Sequence, residues 1–141
     1  MWEVDCVINE DATEITKETA RIPKLVSKYL AIKTKHSLIV KKIEREYREM
    51  SGLKRSYYRG EITDQAVLDK HGWTQWKHNK VLKGSLNDYL ETDTDLNEIV
   101  GRKVLHQEVV DFCLVVIKEL SNRTWQMRLI LDTEKYFSGH G

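Results

Sequence analysis

At 141 residues, with 40% apolar and 32% charged side chains, the chain has the length of one domain with a modest core and is too short for two. Seven Gly and one Pro supply too few turns for a many-stranded sheet, so a sandwich or barrel is disfavoured and an all-α fold of long helices is expected. The formal net charge of +1 hides a strong asymmetry: residues 1–20 carry one basic and six acidic groups, residues 21–59 twelve and three, and residues 60–141 ten and thirteen.

The acidic segment 1–20 lacks the apolar core of a signal peptide, and the longest apolar run, Leu114 to Ile117, is too short to cross a bilayer. The expectation is a cytoplasmic protein with no membrane contact. Cys6 and Cys113 lie in dissimilar settings and read as reduced thiols, Cys113 packed as a small hydrophobe.

Residues 21–60 form the basic segment, and a long helix is predicted from about Pro23 to Tyr58. Proline suits a first turn, and Gly60 suits a left-handed stop. A seven-residue pattern runs through it: Ile22, Tyr29, His36, Ile43, Met50 and Tyr57 in one set, and Leu25, Ile32, Ile39, Glu46 and Leu53 in the other. This is the signature of a coiled-coil-like hairpin. Arg21, Lys28, Lys35 and Lys42 line up beside the seam, and Lys41, Arg45, Arg48, Arg55 and Arg59 form a second, outer group. Charges of one sign along a helix repel one another. An ordinary solvated face would interleave more Glu than Glu44, Glu46 and Glu49, so phosphate binding is favoured over a merely solvated face.

That helix ends in Lys54, Arg55, Ser56, Tyr57, Tyr58, Arg59, Gly60. Basic groups flanking aromatics suit a single strand, with charge for its backbone and a flat ring for its bases. Tyr57 falls on the seam and reads equally well as a core residue, whereas Tyr58 is expected to point away and to stack.

Residues 61–93 read as short helices and connectors. Thr63 is the expected cap of a helix ending at Gly72, Trp73 and Trp76 are apolar anchors, and Ser85 is the expected cap of a segment over Leu86, Tyr89 and Leu90. Lys77, Lys80 and Lys83 could touch DNA, but lysines in solvent are the favoured reading. From residue 94 to the end, one helix is predicted from near Thr94 to about Leu120 and another from Asn122 to Phe137. Val109 to Ile117 is apolar on nearly every side, so neighbouring copies are the expected cover. Val109, Val110, Phe112, Cys113, Val116, Ile117, Leu120 and Trp125 are accordingly assigned to self-association.

Nothing suggests an enzyme. His36, His71, His78, His106 and His140 are scattered, and HExxH, CxxC, GxxxxGK[ST] and GxSxG are all absent, so no metal and no cofactor is expected. Asp93 and Asp95 read as helix caps. A non-catalytic coiled-coil adaptor, with its basic face on an acidic protein, is the alternative to a DNA-binding protein.

Several stretches in order resemble the UvsY family of phage recombination mediators. They are Arg21-Ile22-Pro23-Lys24-Leu25, Lys28-Tyr29-Leu30, Tyr57-Tyr58-Arg59-Gly60, Val81-Leu82-Lys83, Asp88-Tyr89-Leu90, Asp111-Phe112-Cys113, Asn122-Arg123-Thr124-Trp125-Gln126 and Phe137-Ser138-Gly139. The resemblance implies a helical protein closed into a homo-oligomeric ring of six or seven copies through its C-terminal helices. It implies single-stranded DNA, a RecA-like strand-exchange recombinase and a single-strand-binding protein as partners, in the host cytoplasm. It assigns DNA binding to the basic residues ahead of the tyrosine pair, here Lys54 and Arg55. Lys54 is the better aligned, because Gly52 stands where the family pattern has a second basic residue unless a one-residue gap is allowed.

Overall fold

Four α-helices account for the regular structure of the computed structural model, which describes residues 12–76 and 83–139: α1 Ala12–Tyr58, α2 Gln65–His71, α3 Lys83–Glu91 and α4 Thr94–Gly139. No strand occurs among the described residues. Cys6, Lys77, Lys80, Val81 and Leu82 lie outside them, as does His140.

The chain divides into two compact units, one made of residues up to Leu38 with those from His106 on, the other of Ile39–Leu105. In the first unit α1 and α4 run antiparallel, since Thr19 meets Met127 while His36 meets His106. Ile22 and Tyr29 of α1 pack with Cys113, Val116, Leu120 and Met127 of α4, flanked by half-buried Leu25, Val26, Ile32, Val109, Ile117, Ile130 and Leu131. The α4 residues recur at intervals of three and four, so one side of an apolar helix is chosen as core. The two imidazoles of His36 and His106 face each other with Nδ1 atoms 2.9 Å apart, one donating and one accepting.

In the second unit, Tyr58, Leu86, Leu90 and Leu96 form a cluster with half-buried Met50, Tyr57 and Trp76 packed on it. Local signals set its connections. Gly60 (φ 72°) closes α1, with the Gly60 N–H donating to the Tyr57 carbonyl and the Glu61 N–H to that of Ser56. Gly72 (φ 68°) closes α2 the same way, through the carbonyls of Asp69 and Leu68. This left-handed stop is strained for any residue with a Cβ.

Four boundaries differ from the sequence reading. Pro23 lies inside α1 rather than at its start. A proline inside a helix forfeits one backbone hydrogen bond, but Ile22 is buried against α4 and the Thr19 hydroxyl donates to Met127 Sδ, so packing ahead of the proline holds the helix. Asp64, not Thr63, caps α2, its carboxylate accepting from the Ala66 N–H at 2.9 Å. Ser85 lies within α3, whose first residue is Lys83. Ser121 and Asn122 do not interrupt α4, because the Ser121 and Thr124 hydroxyls return to the Ile117 and Leu120 carbonyls within the same helix.

Candidate nucleic-acid interface

Within the second unit, α1 buries Val40, Ile43, Lys54 and Tyr58 and half-buries Met50 and Tyr57. Lys41, Arg45, Arg48, Arg55 and Arg59 are all exposed. Together with Gly52 they recur at alternating intervals of four and three, which at 3.6 residues per turn makes a single stripe on the side away from the core. Among the described residues none of these five cations pairs with a carboxylate. Lys42 is also exposed but lies a quarter-turn off the stripe, near Glu46 and Glu49. Glu46 is held by Arg102, and Glu44 by Lys103 at 3.3 Å, so two of the three helix carboxylates are already matched by α4. A row of unmatched cations with neutralised acidic neighbours suits a polyanion.

Gly52 is the one non-basic position of that stripe. It is exposed, and a Cβ there would meet nothing within 4 Å. In the first unit Lys35 is exposed, whereas Lys28 is half-buried with its ammonium 5.1 Å from the centre of the Tyr29 ring.

Lys54 occupies a different place from the one the sequence suggested. It follows Val40, Ile43 and Met50 by fourteen, eleven and four residues, which is the phase of the buried face. The lysine is 5% exposed. Its ammonium stands 3.0 Å from Asp93 Oδ2 and 2.8 Å from Asp95 Oδ2, and 4.0 Å from the centre of the Trp73 ring. The Trp73 indole N–H donates to Asp95 Oδ2 at 3.0 Å. A cation enclosed by two carboxylates and an aromatic face has no approach left for a phosphate, so its place is a correction to the strand-contact expectation.

Tyr58 is corrected likewise. Rather than pointing outward, it is buried, with its hydroxyl donating to Asp93 Oδ2 at 2.6 Å and its ring edge-on to Trp76 at 4.9 Å. Tyr57 is half-buried, its hydroxyl donating to the Thr74 carbonyl at 2.6 Å. Asp93 unites this arrangement. As expected it caps α4, accepting the Leu96 N–H on Oδ1 at 3.0 Å, while its other oxygen takes Tyr58 and Lys54. Burial alone would raise the Asp93 carboxyl. Hydrogen bonds from Tyr58, Leu96 and Lys54, with the lysine's charge, outweigh it and hold the group below the ordinary range. Burial and the Asp93 carboxylate together push the Tyr58 phenol up.

The residues assigned to self-association divide. Val110, Cys113, Val116 and Leu120 are buried within the chain itself, and Val109 and Ile117 are half-buried there. Phe112 and Trp125 are exposed. The expectation that other copies must cover the whole run is therefore corrected, because α1 covers one side of it. The opposite side of α4 exposes Leu114, Trp125, Leu129 and Tyr136, spaced by eleven, four and seven residues and so on one face, with Val115 alongside.

Sequence reasoning passed over Tyr47. It is 36% exposed and lines a cleft of about 370 Å³ with Ile43, Arg48, Ile99 and Val100. Its signal was present in the order Arg45-Glu46-Tyr47-Arg48, an aromatic between two stripe arginines.

Among the described residues no group of three His, Cys, Asp or Glu side chains could hold a metal ion, and no helix is long and apolar enough to cross a membrane. The family model described as "Recombination, repair and ssDNA binding protein UvsY" matches residues 1–140. The chain is similar in fold to crystal structures of the bacteriophage T4 recombination mediator protein UvsY. In lattice type I the TM-score is 0.80 at 18% identity, covering 96% of this chain and 94% of that one. In lattice type II it is 0.81 at 18% identity, covering 97% and 92%. No curated protein matches the sequence.

Proposed function

Because this chain belongs to the UvsY family of recombination, repair and single-stranded-DNA-binding proteins, we propose that it is a non-enzymatic phage recombination mediator acting in the host cytoplasm. It binds single-stranded DNA as a homo-oligomeric ring of six or seven copies and promotes loading of a RecA-like recombinase onto DNA covered by single-strand-binding protein. The observation that carries the reading is the exposed stripe of Lys41, Arg45, Arg48, Arg55 and Arg59, opposite the buried face of α1 and without acidic partners among the described residues. Phosphates bind along it, with Lys42 at its flank and with Lys35 and Lys28 contributing in the first unit. Lys54 and Tyr58 serve by fixing the end of α1 against the cap of α4, which sets the direction in which Arg55 and Arg59 project.

Each protomer alone holds a strand weakly. Repetition around a ring raises the effective concentration of every further contact, so affinity comes from assembly without new chemistry. The apolar face of α4 bearing Leu114, Trp125 and Leu129, with Val115 alongside, supplies the contact between copies. A strand held in an altered path favours departure of the single-strand-binding protein and nucleation of the recombinase filament.

A titration of labelled poly-dT against the protein over a series of salt concentrations tests this. Saturable binding at micromolar protein or below is expected, with log K falling linearly in log salt by roughly 0.7 for each phosphate neutralised. Arg45→Glu with Arg48→Glu should abolish it. Absence of saturable binding by the wild-type protein, or binding indifferent to both reversals, rejects the reading. Recombinase activity on strands precoated with single-strand-binding protein, measured with and without the chain, tests the loading step.

A further inference from the structure

We propose that the cleft walled by Ile43, Tyr47, Ile99 and Val100 is a nucleobase pocket, in which an unstacked base of the bound strand lies against the Tyr47 ring. This rests on the single-stranded-DNA reading above and adds to it the place where the bases go. A single strand needs two things from a protein: cations along its backbone and a flat apolar face for each base that leaves the stack. The stripe supplies the first. The tyrosines at the end of α1 do not supply the second, since Tyr58 is buried and Tyr57 is enclosed by Trp73, Trp76 and Tyr58.

Tyr47 does. Among the described residues it makes no ring contact and no hydrogen bond, and over a third of it is exposed. Its cleft is apolar along its walls, where Val100 is exposed as well, and its volume of about 370 Å³ falls within the range of small-ligand pockets, roughly 300–1,000 Å³. Arg48 belongs both to the cleft lining and to the stripe, one residue from Tyr47, so a phosphate on Arg48 brings its own base to the mouth of the cleft. The remaining polar lining is Glu44 and Lys103, paired at 3.3 Å, so the carboxylate is neutralised where a strand would pass. An acidic peptide would use the same cations but has no need of a ring-sized apolar slot; charge and shape together select a nucleic acid with free bases.

The test compares oligo-dT with an abasic strand of equal length, which has the same phosphates and no bases. The wild-type protein should favour oligo-dT roughly tenfold, the size of one base–aromatic stack. Tyr47→Ala should erase that preference and leave affinity for the abasic strand unchanged, while Tyr47→Phe retains it. A strand carrying 5-iododeoxyuridine should cross-link to Tyr47 in the wild-type protein, a measurement that does not depend on any variant folding. Equal binding of both strands by the wild type, or cross-links confined to other residues, overturns the pocket and leaves the stripe intact. Failure to bind either strand overturns the pocket together with the reading it rests on.

Discussion

Replacing Lys54 by Met removes the ammonium while keeping a side chain of similar length, and it separates a structural lysine from a strand-contacting one. The lysine side chain is 6% exposed, that of Asp93 3% and that of Asp95 42%. Without the cation Asp95 can hydrate, but Asp93 becomes a buried charge with no counter-ion. Breaking a buried pair on one side costs about 3–5 kcal/mol. Asp93 keeps its bonds from Tyr58 and the Leu96 N–H, so the lower figure of about 3 kcal/mol applies, a shift of roughly 150-fold in the opening equilibrium of the second unit. Amide hydrogen exchange is the assay, read over residues 54–58 and 93–99. Protection there should fall in Lys54→Met. Adding Asp93→Asn should restore most of it, since the amide still caps α4 and the orphan charge is gone. If Lys54→Met leaves exchange unchanged and instead lowers strand affinity and salt dependence as Arg55→Ala does, Lys54 faces solvent in the working protein and the reasoning fails.

Three more outcomes are expected. Gly52→Arg fills the gap in the stripe, meets no steric obstacle, and gains up to about 1 kcal/mol of helix propensity; the salt slope for single-stranded DNA should steepen by roughly 0.7 per added contact, and an unchanged slope would place the strand elsewhere. Val115 is 66% exposed and Val116 only 2%, so Val115→Glu should yield folded, smaller species by native mass spectrometry, whereas Val116→Asp should unfold the first unit; the reverse pattern would reverse the face proposed for self-association. Finally, because the folded Asp93 carboxyl ionises below its ordinary value, the unfolded chain binds a proton that the folded one does not as pH drops. Stability of the second unit is therefore present above about pH 4 and lost as acid passes through the lowered folded value, while Lys54→Met with Asp93→Asn should show a flatter profile in urea unfolding followed by tryptophan fluorescence.

The long helices, both glycine stops and the Asp93 cap were legible because each rests on short-range chemistry: heptad spacing, left-handed backbone, a carboxylate beside a free N–H. The run through Pro23 was not legible, because what holds it is Met127, over a hundred residues away. The same holds at Ser121-Asn122, where polarity suggested a break and α4 continues with its core side intact. Lys54 was misplaced for a different reason. The heptad pattern runs through both Ile43 and Leu53, but the buried face of α1 in the second unit keeps Ile43 and turns toward Val40 and Lys54, which follow His36 and Met50 by four residues. A lysine at such a position reads as a ligand for phosphate unless its carboxylates, thirty-nine and forty-one residues later, are known to meet it. Tyr58 was misread with it, since the same Asp93 draws its hydroxyl inward.

The packing of Cys113 has a use of its own. Its thiol is buried, 2% exposed, and burial pushes its ionisation up, so little thiolate is present at neutral pH and a modifying reagent must wait for the helix pair to part. In a Cys6→Ser background the labelling rate is thus a native clock for breathing of the first unit. Because the sulfur lies on the inward side of α4, that clock counts separation of α1 from α4 within one chain, and it would not register the making or breaking of contacts with another copy.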